Sequence, residues 1–86
     1  MIRVFDAPRV FDARGLKCPL PVLKARRLMR EMAAGEVLEV QATDPGAPGD
    51  FAHFCETTGH RLVASETVDQ VFIIRIEVVP PAASAD

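Results

Sequence analysis

The 86-residue sequence contains no apolar run near the roughly 20 residues that a membrane-spanning helix needs. Its first residues show no basic stretch followed by an apolar one, which is the pattern of a secretory signal peptide. It has only two cysteines, Cys18 and Cys55, and these are too few for a disulfide-stabilised secreted domain. Together these absences predict a cytoplasmic protein without a membrane partner.

Several reactive and binding motifs are also missing. There is no C-x-x-C pair for dithiol exchange and no glycine-rich phosphate loop. The two cysteines and two histidines, His53 and His60, lack the spacing of a zinc site. Trp and Tyr are absent, so few aromatic side chains are available to stack on nucleic-acid bases. We therefore predict no metal and no organic cofactor, and direct binding of nucleic acid is disfavoured.

What is present is the composition of one small folded domain, with 49% hydrophobic and 26% charged residues. We predict that this domain spans residues 1–79 and that residues 80–86 form a flexible tail. The sequence of residues 3–7, Arg-Val-Phe-Asp-Ala, is repeated at residues 9–13. Because Pro8 between the copies limits continuous pairing, the second copy is the predicted strand.

The hydrophobic pattern predicts the element order β-α-β-α-β-β. The predicted segments after the first strand are a helix from Pro19 to about Ala33, a strand at 36–43, a helix ending near Thr58, a strand at 60–66 and a strand at 71–79. Asp44 is a plausible N-cap of the second helix. In each later strand, one face is more polar than the other, which predicts that the helices lie on one side of the sheet only. The fold class is therefore an α/β (α+β) two-layer sandwich, with a four-stranded mixed sheet and two helices on one face.

The two cysteines occupy different settings. Cys55 falls in the apolar stripe of the second helix, which predicts a buried core thiol. Cys18 precedes Pro19, a residue suited to the first helical position, so Cys18 is predicted at the N-cap. The helix dipole and the neighbouring Lys17 and Arg14 should then lower the pKa of the Cys18 thiol. The alternative is that Cys18 is an ordinary cap without reactivity.

Residues 12–21, Asp-Ala-Arg-Gly-Leu-Lys-Cys-Pro-Leu-Pro, resemble the signature of the TusA-like (SirA-like) sulfur-carrier family, whose mark is Cys-Pro-x-Pro. The resemblance continues in one register over about residues 9–79, through Asp44-Pro45-Gly46 and Asp50. It implies a two-layer α/β sandwich and a stoichiometric carrier of the sulfurtransferase type, in which Cys18 holds sulfane sulfur as a persulfide. The positions that match the family's motif and shape its loop are Asp12, Gly15, Leu16, Pro19 and Pro21.

The resemblance also implies the partners of such a carrier. They are a cysteine desulfurase or rhodanese-like protein as sulfur donor and a further protein as sulfur acceptor. Members of the family serve tRNA thiolation, sulfur oxidation or cofactor sulfuration. Leu20 fills the variable position of the motif, which leaves the choice of partner open.

Charge is unevenly distributed along the chain. Residues 1–30 carry eight Lys or Arg and two Asp, whereas residues 31–86 carry two Arg and ten Asp or Glu. We interpret the basic block as a landing surface for an acidic partner protein, with Leu20 and Leu23 as its apolar centre. The predicted partner-binding residues are Arg14, Lys17, Leu20, Leu23, Lys24, Arg27 and Arg30.

Three alternatives remain open at this point. The basic block could be only the solvated face of the first helix. The chain could be an RNA-binding or regulatory module that uses Lys24, Arg26, Arg27 and Arg30. Cys18 could instead be a peroxide-sensing thiol, which would form a sulfenate rather than a persulfide.

Overall fold

The structure is a computed structural model, and it describes residues 8–80. The duplicate segment at 3–7 and residues 81–86 of the predicted tail lie outside the described residues. The elements are β1 Arg9–Ala13, α1 Leu20–Arg30, β2 Val37–Ala42, α2 Ala47–Thr58, β3 Arg61–Val68 and β4 Val71–Glu77. The predicted order of strands and helices is confirmed.

The four strands form one mixed sheet in the order β1-β2-β4-β3. β1 runs parallel to β2, and β4 runs antiparallel to both β2 and β3. Parallel pairing requires a crossover, and α1 provides it between β1 and β2. Neither helix within residues 8–80 is long and apolar enough to cross a membrane.

The core lies between this sheet and the two helices. Leu38, Val40 and Ala42 alternate along β2 and are fully buried, because their face of the strand is covered by the helices. From α2, the fully buried Phe51 packs into the same core. The opposite face of β2 is polar, with Glu39 accepting an ion-pair hydrogen bond of 2.9 Å from Arg75 on β4. This two-faced pattern confirms the predicted two-layer arrangement.

The first helix is shorter than predicted. It begins at Leu20 rather than Pro19 and ends at Arg30 rather than near Ala33. The chain leaves the helix because the next residues join the sheet: the Gly35 amide donates to the Val78 carbonyl, and the Val78 amide donates to the Glu36 carbonyl, both at 2.8 Å. Strand ends differ from the predicted ends by one or two residues, which is the usual uncertainty of such boundaries.

The start of the second helix also differs from the prediction. Its N-cap is Gly46, not Asp44. The Asp44 carboxylate instead accepts a hydrogen bond of 2.9 Å from the Gly46 amide, two residues along the chain. This local bond shapes the turn before α2 and keeps Asp44 close to the loop that carries Cys18.

Candidate functional site

The loop between β1 and α1 crosses the carboxyl ends of the two parallel strands. Gly15 has a φ of +83° there, and its amide donates a hydrogen bond of 2.9 Å to the hydroxyl of Thr43, just after β2. The Leu16 amide donates to the Ala13 carbonyl at 3.1 Å, and the Leu16 side chain packs against the core. These contacts anchor the loop two residues before Cys18.

The positive φ of Gly15 allows the conformation of this loop to be tested by substitution. A Cβ at Gly15 would meet no atom within 4 Å, so Gly15→Ala tests backbone conformation alone. We expect a loss of about 1–2 kcal/mol in the free energy of unfolding, measured with urea, because L-residues disfavour positive φ. Gly49→Ala is the matched control, since Gly49 also has open space but lies within α2 at an ordinary φ. It should stabilise the protein by up to about 1 kcal/mol. Equal effects of the two substitutions would contradict this account of the loop.

Asp12 and Arg14 form a local ion pair at the start of the loop. The Asp12 carboxylate accepts hydrogen bonds from the Arg14 guanidinium at 2.8 and 2.9 Å and from its backbone amide at 3.1 Å. The side-chain hydrogen bond from Arg14 is the main cause that lowers the pKa of Asp12 to about 2. Asp12 therefore stabilises the turn, and its carboxylate compensates much of the positive charge of Arg14.

Cys18 lies one residue before the helix cap, since the N-cap of α1 is Pro19. The prediction that Cys18 is the N-cap is therefore wrong. Because the dipole field falls off within a turn, this extra residue weakens its effect on the sulfur. The Leu20 amide, at the start of the helix, donates to the Lys17 carbonyl at 2.9 Å rather than to the sulfur. The helix start is accordingly a poor anion site for Cys18.

The nearest polar partner of the exposed Cys18 thiol is Asp50, in the first turn of α2. The Cys18 Sγ–H donates to Asp50 Oδ2, and the S···O distance is 2.6 Å. This hydrogen bond raises the pKa of Cys18, and partial desolvation, the charge of Asp50 and the charge of Asp44 act in the same direction. The sequence-based expectation of a lowered thiol pKa is wrong, because the group in contact with the sulfur is a carboxylate, which disfavours the thiolate.

A cavity of about 330 Å³ opens beside the Cys18 sulfur, between α1 and α2. Its lining residues are Cys18, Pro19, Val22, Arg26, Asp50, His53, Phe54 and Thr57. A larger cavity of about 450 Å³ lies further along the same helices and shares Arg26 and Phe54 with the first. Among the described residues, Asp50 is the one carboxylate that lines either cavity. Cys18 can therefore react with a group that approaches through an open, mostly apolar mouth.

The predicted partner-binding residues on α1 are all at the surface. Leu20 is 43% exposed and Leu23 is 53% exposed, so both leucines present apolar surface to solvent. Lys24, Arg27 and Arg30 are exposed as well, and none has an ion-pair partner within residues 8–80. We call Leu20, Leu23, Lys24, Arg27 and Arg30 the α1 surface.

Cys55 is only 7% exposed, and burial raises the pKa of its thiol, so the prediction of a core thiol is confirmed. His60 is half-buried, and its Nδ1 accepts a hydrogen bond of 3.0 Å from the Val79 amide. His53 is exposed and lines the cavity beside Cys18 without a hydrogen bond to the sulfur among the contacts of the described residues. Within residues 8–80 no group of three His, Cys, Asp or Glu side chains could hold a metal ion.

The family model described as sulfurtransferase TusA matches residues 9–78 of this chain. The chain belongs to the TusA family. The match spans every strand and helix of the structure and includes Cys18 with its loop. The family membership predicted from residues 12–21 is thereby confirmed.

Individual relatives agree with this assignment. A Neisseria meningitidis serogroup A protein provisionally named a sulfur carrier is 50% identical over 66 residues, covering 77% of this chain and 89% of that protein. Sulfur carrier protein TusA of Allochromatium vinosum is 46% identical over 61 residues, covering 71% and 80% respectively. The crystal structure of a SirA-like protein from Desulfitobacterium hafniense matches with a TM-score of 0.72 at 25% identity, covering 83% and 97%. The fold that the resemblance to the TusA family implied for this chain is therefore confirmed.

Two residues of the site had no assigned role in the sequence analysis. Asp50 lay within the resemblance, and Arg26 appeared only among the bases of the RNA-binding alternative. The available signals were an acidic residue in the first turn of a helix and a basic residue one turn after Val22. Neither signal says that the residue lies beside Cys18, because that depends on how α2 packs against α1.

Proposed function

We propose that the chain is a sulfur carrier, in which Cys18 takes up sulfane sulfur as a persulfide and passes it to an acceptor protein in the cytoplasm. The observation that carries the proposal is an exposed thiol on an anchored loop, at the mouth of a cavity, in a chain of the TusA family. The names of the Neisseria and Allochromatium relatives support the same role.

The bond changes take place at the Cys18 sulfur. The Cys18 sulfur attacks the outer sulfur of a donor persulfide, a new S–S bond forms, and the donor's S–S bond breaks. The donor cysteine leaves as a thiolate and takes up a proton, so no net oxidation or reduction occurs. Transfer onward is the same exchange in reverse, with the acceptor's thiolate attacking the outer sulfur held on Cys18.

We propose as donor a cysteine desulfurase or a rhodanese-like protein, since both carry sulfur as a cysteine persulfide. The acceptor is a second protein with a reactive sulfur-binding group. Such a carrier suits tRNA thiolation, sulfur oxidation or cofactor sulfuration, and the site is compatible with each because the cargo is a single sulfur atom.

A transfer experiment tests the function. The purified protein is incubated with a cysteine desulfurase and ³⁵S-labelled cysteine, then separated without reductant. We expect label on the protein that dithiothreitol removes, as for a persulfide. Absence of label would contradict the proposal, and a sulfenate formed with peroxide in its place would favour the peroxide-sensing alternative.

The α1 surface is proposed to be the place where the partner proteins bind. It combines two exposed leucines with a rim of bases, and it begins two residues after Cys18. An apolar centre with a polar rim is the usual anatomy of a protein–protein interface. Lys17 in the neighbouring loop extends the basic rim towards Cys18, whereas Arg14 in the same loop is paired with Asp12.

Leu23→Asp should slow the transfer of sulfur from the desulfurase at least severalfold. Because Leu23 is 53% exposed, the substitution should change the free energy of unfolding of the protein by no more than about 0.5 kcal/mol. The rate of ³⁵S uptake and urea unfolding measure the two effects.

Val68→Asp is the matched control for that substitution, because Val68 is 50% exposed but lies on β3, the edge strand furthest from β1. It should leave the rate of uptake unchanged. Equal slowing by both variants, or a Leu23 variant that loses stability in step with activity, would show that Leu23 does not act at an interface.

A further inference from the structure

The contact between Cys18 and Asp50 joins two distant parts of the chain. The residues are 32 positions apart, one in the β1–α1 loop and one in the first turn of α2, and their side chains meet at 2.6 Å. A carboxylate is favourably placed at a helix N-terminus, so Asp50 is held where the dipole supports its charge. Sulfur and carboxylate are thus brought together by tertiary packing.

The backbone at Gly46 allows this close approach. A Cβ at Gly46 would stand 3.1 Å from Asp44 Oδ2, 3.8 Å from Asp50 Oδ2 and 3.9 Å from the Cys18 Cβ. The three side chains therefore converge on one small area of exposed backbone. A side chain at Gly46 would press first on Asp44, which lies closest.

Titratable or charged groups lie near Cys18 on each surrounding element. Asp50 and His53 from α2 and Arg26 from α1 line the same cavity as Cys18, and Asp44 in the β2–α2 connection acts on the thiol through its charge. Lys17 is the preceding residue of the loop. The group in direct contact is Asp50, and Asp44 adds a second negative charge. The sulfur is consequently in a locally acidic place on an otherwise basic half of the molecule.

We propose that Asp50 is a catalytic residue of the carrier, which accepts the thiol proton during loading and returns a proton to the Cys18 sulfur when the cargo leaves. This inference rests on the proposed function. As Cys18 attacks, its proton passes to Asp50, the new S–S bond forms, and the electron pair of the broken bond leaves on the donor's sulfur. Asp50 then loses the proton to solvent. In the transfer onward, the acceptor's thiolate attacks the outer sulfur, the S–S bond on Cys18 breaks, and the Cys18 sulfur takes up a proton through Asp50 as it leaves.

The same arrangement protects the empty carrier. With Asp50 ionised, the thiol is held as a hydrogen-bond donor, and only the thiolate reacts with oxidants and alkylating agents. Cys18 therefore stays unreactive until a sulfur donor is in place. A carrier of this kind resists oxidation when it is empty.

Asp50→Asn tests the proposal with the full chain and two readouts. The first is the pH profile of iodoacetamide alkylation of the Cys18 peptide, followed by mass spectrometry. Its midpoint should move to lower pH, because loss of the carboxylate charge removes the main cause that raises the thiol pKa. Alkylation at neutral pH should become severalfold faster. The second readout is the uptake of ³⁵S from the desulfurase, which should become severalfold slower because no carboxylate remains to accept the thiol proton.

Glu56→Gln is the control, because Glu56 is an exposed carboxylate on the same helix that lines neither cavity. It should leave both readouts unchanged, and Asp50→Glu should restore part of the wild-type profile. Should Asp50→Asn fail to fold, Asp50→Ser replaces it in both measurements. A midpoint that is unchanged or moves to higher pH, or uptake of sulfur as fast as in the wild type, would overturn the role of Asp50. Failure of the wild-type protein to take up sulfur at all would instead overturn the proposed function.

Discussion

Replacing Cys18 by serine is expected to abolish the uptake of sulfur from a desulfurase and its transfer to any acceptor. Only a sulfur atom can form the S–S bond that holds the cargo, and the serine hydroxyl offers no such bond. Cys18 is exposed, and its substitution removes one hydrogen bond at the surface, so the fold should be retained. The loss is measured as ³⁵S bound per molecule of protein.

Cys55→Ala is the matched control for that loss. Cys55 packs in the core, and alanine avoids the burial of a hydroxyl without a partner. Uptake of sulfur should stay close to that of the wild type, with a modest decrease in the free energy of unfolding of about 1 kcal/mol. Label retained by Cys18→Ser, or lost in a folded Cys55→Ala protein, would show that the carrier thiol has been assigned to the wrong cysteine.

Phe51→Ala is expected to destabilise the protein by about 3–5 kcal/mol, a large part of the stability of a domain of this size. Phe51 is fully buried and packs edge-on against Phe54, with ring centroids 6.3 Å apart. It also directly follows Asp50 and fixes the first turn of α2 to the core. Sulfur transfer should therefore fall together with stability in urea unfolding experiments.

Val10→Ala serves as the comparison for the core substitution. Val10 is 58% exposed on the edge strand β1, so its loss should change the free energy of unfolding by no more than about 0.5 kcal/mol. A Phe51→Ala protein as stable as the Val10→Ala protein would contradict the packing described for α2.

The sheet was largely predictable from the sequence, and β2 shows why. Leu38, Val40 and Ala42 recur at every second position, and the side chains of a strand point alternately to opposite faces. The same strand carries Glu39 and Gln41 on its other face. A pattern that local can be recognised without knowledge of the neighbouring strands, and the structure confirms it in each buried position.

The end of α1 was not predictable in this way. Apolar residues continue through Met32 and Ala33 in helical spacing, and Met32 is indeed buried. The helix nevertheless ends at Arg30, since Gly35 and Glu36 bond to Val78 near the far end of the chain. Such long-range hydrogen bonds leave no mark in the local pattern.

The direction of the Cys18 pKa shift could not be predicted from the neighbouring sequence either. The neighbouring sequence presents Arg14 and Lys17, which predicted a lowered thiol pKa. In the structure the Arg14 charge is paired with Asp12, and a carboxylate from 32 positions away reaches the sulfur. The identity of the exposed thiol could be predicted from its motif, but its protonation depends on the packing of α2.

The central claim is that sulfur is carried on Cys18, and the most direct test is the mass of the loaded protein. After incubation with a desulfurase and cysteine, the intact protein should gain the mass of one sulfur atom. Peptide mapping under non-reducing conditions should place that sulfur on the peptide containing Cys18, and dithiothreitol should remove it. An added sulfur on the Cys55 peptide, or no added sulfur on either cysteine with an active desulfurase, would contradict the account.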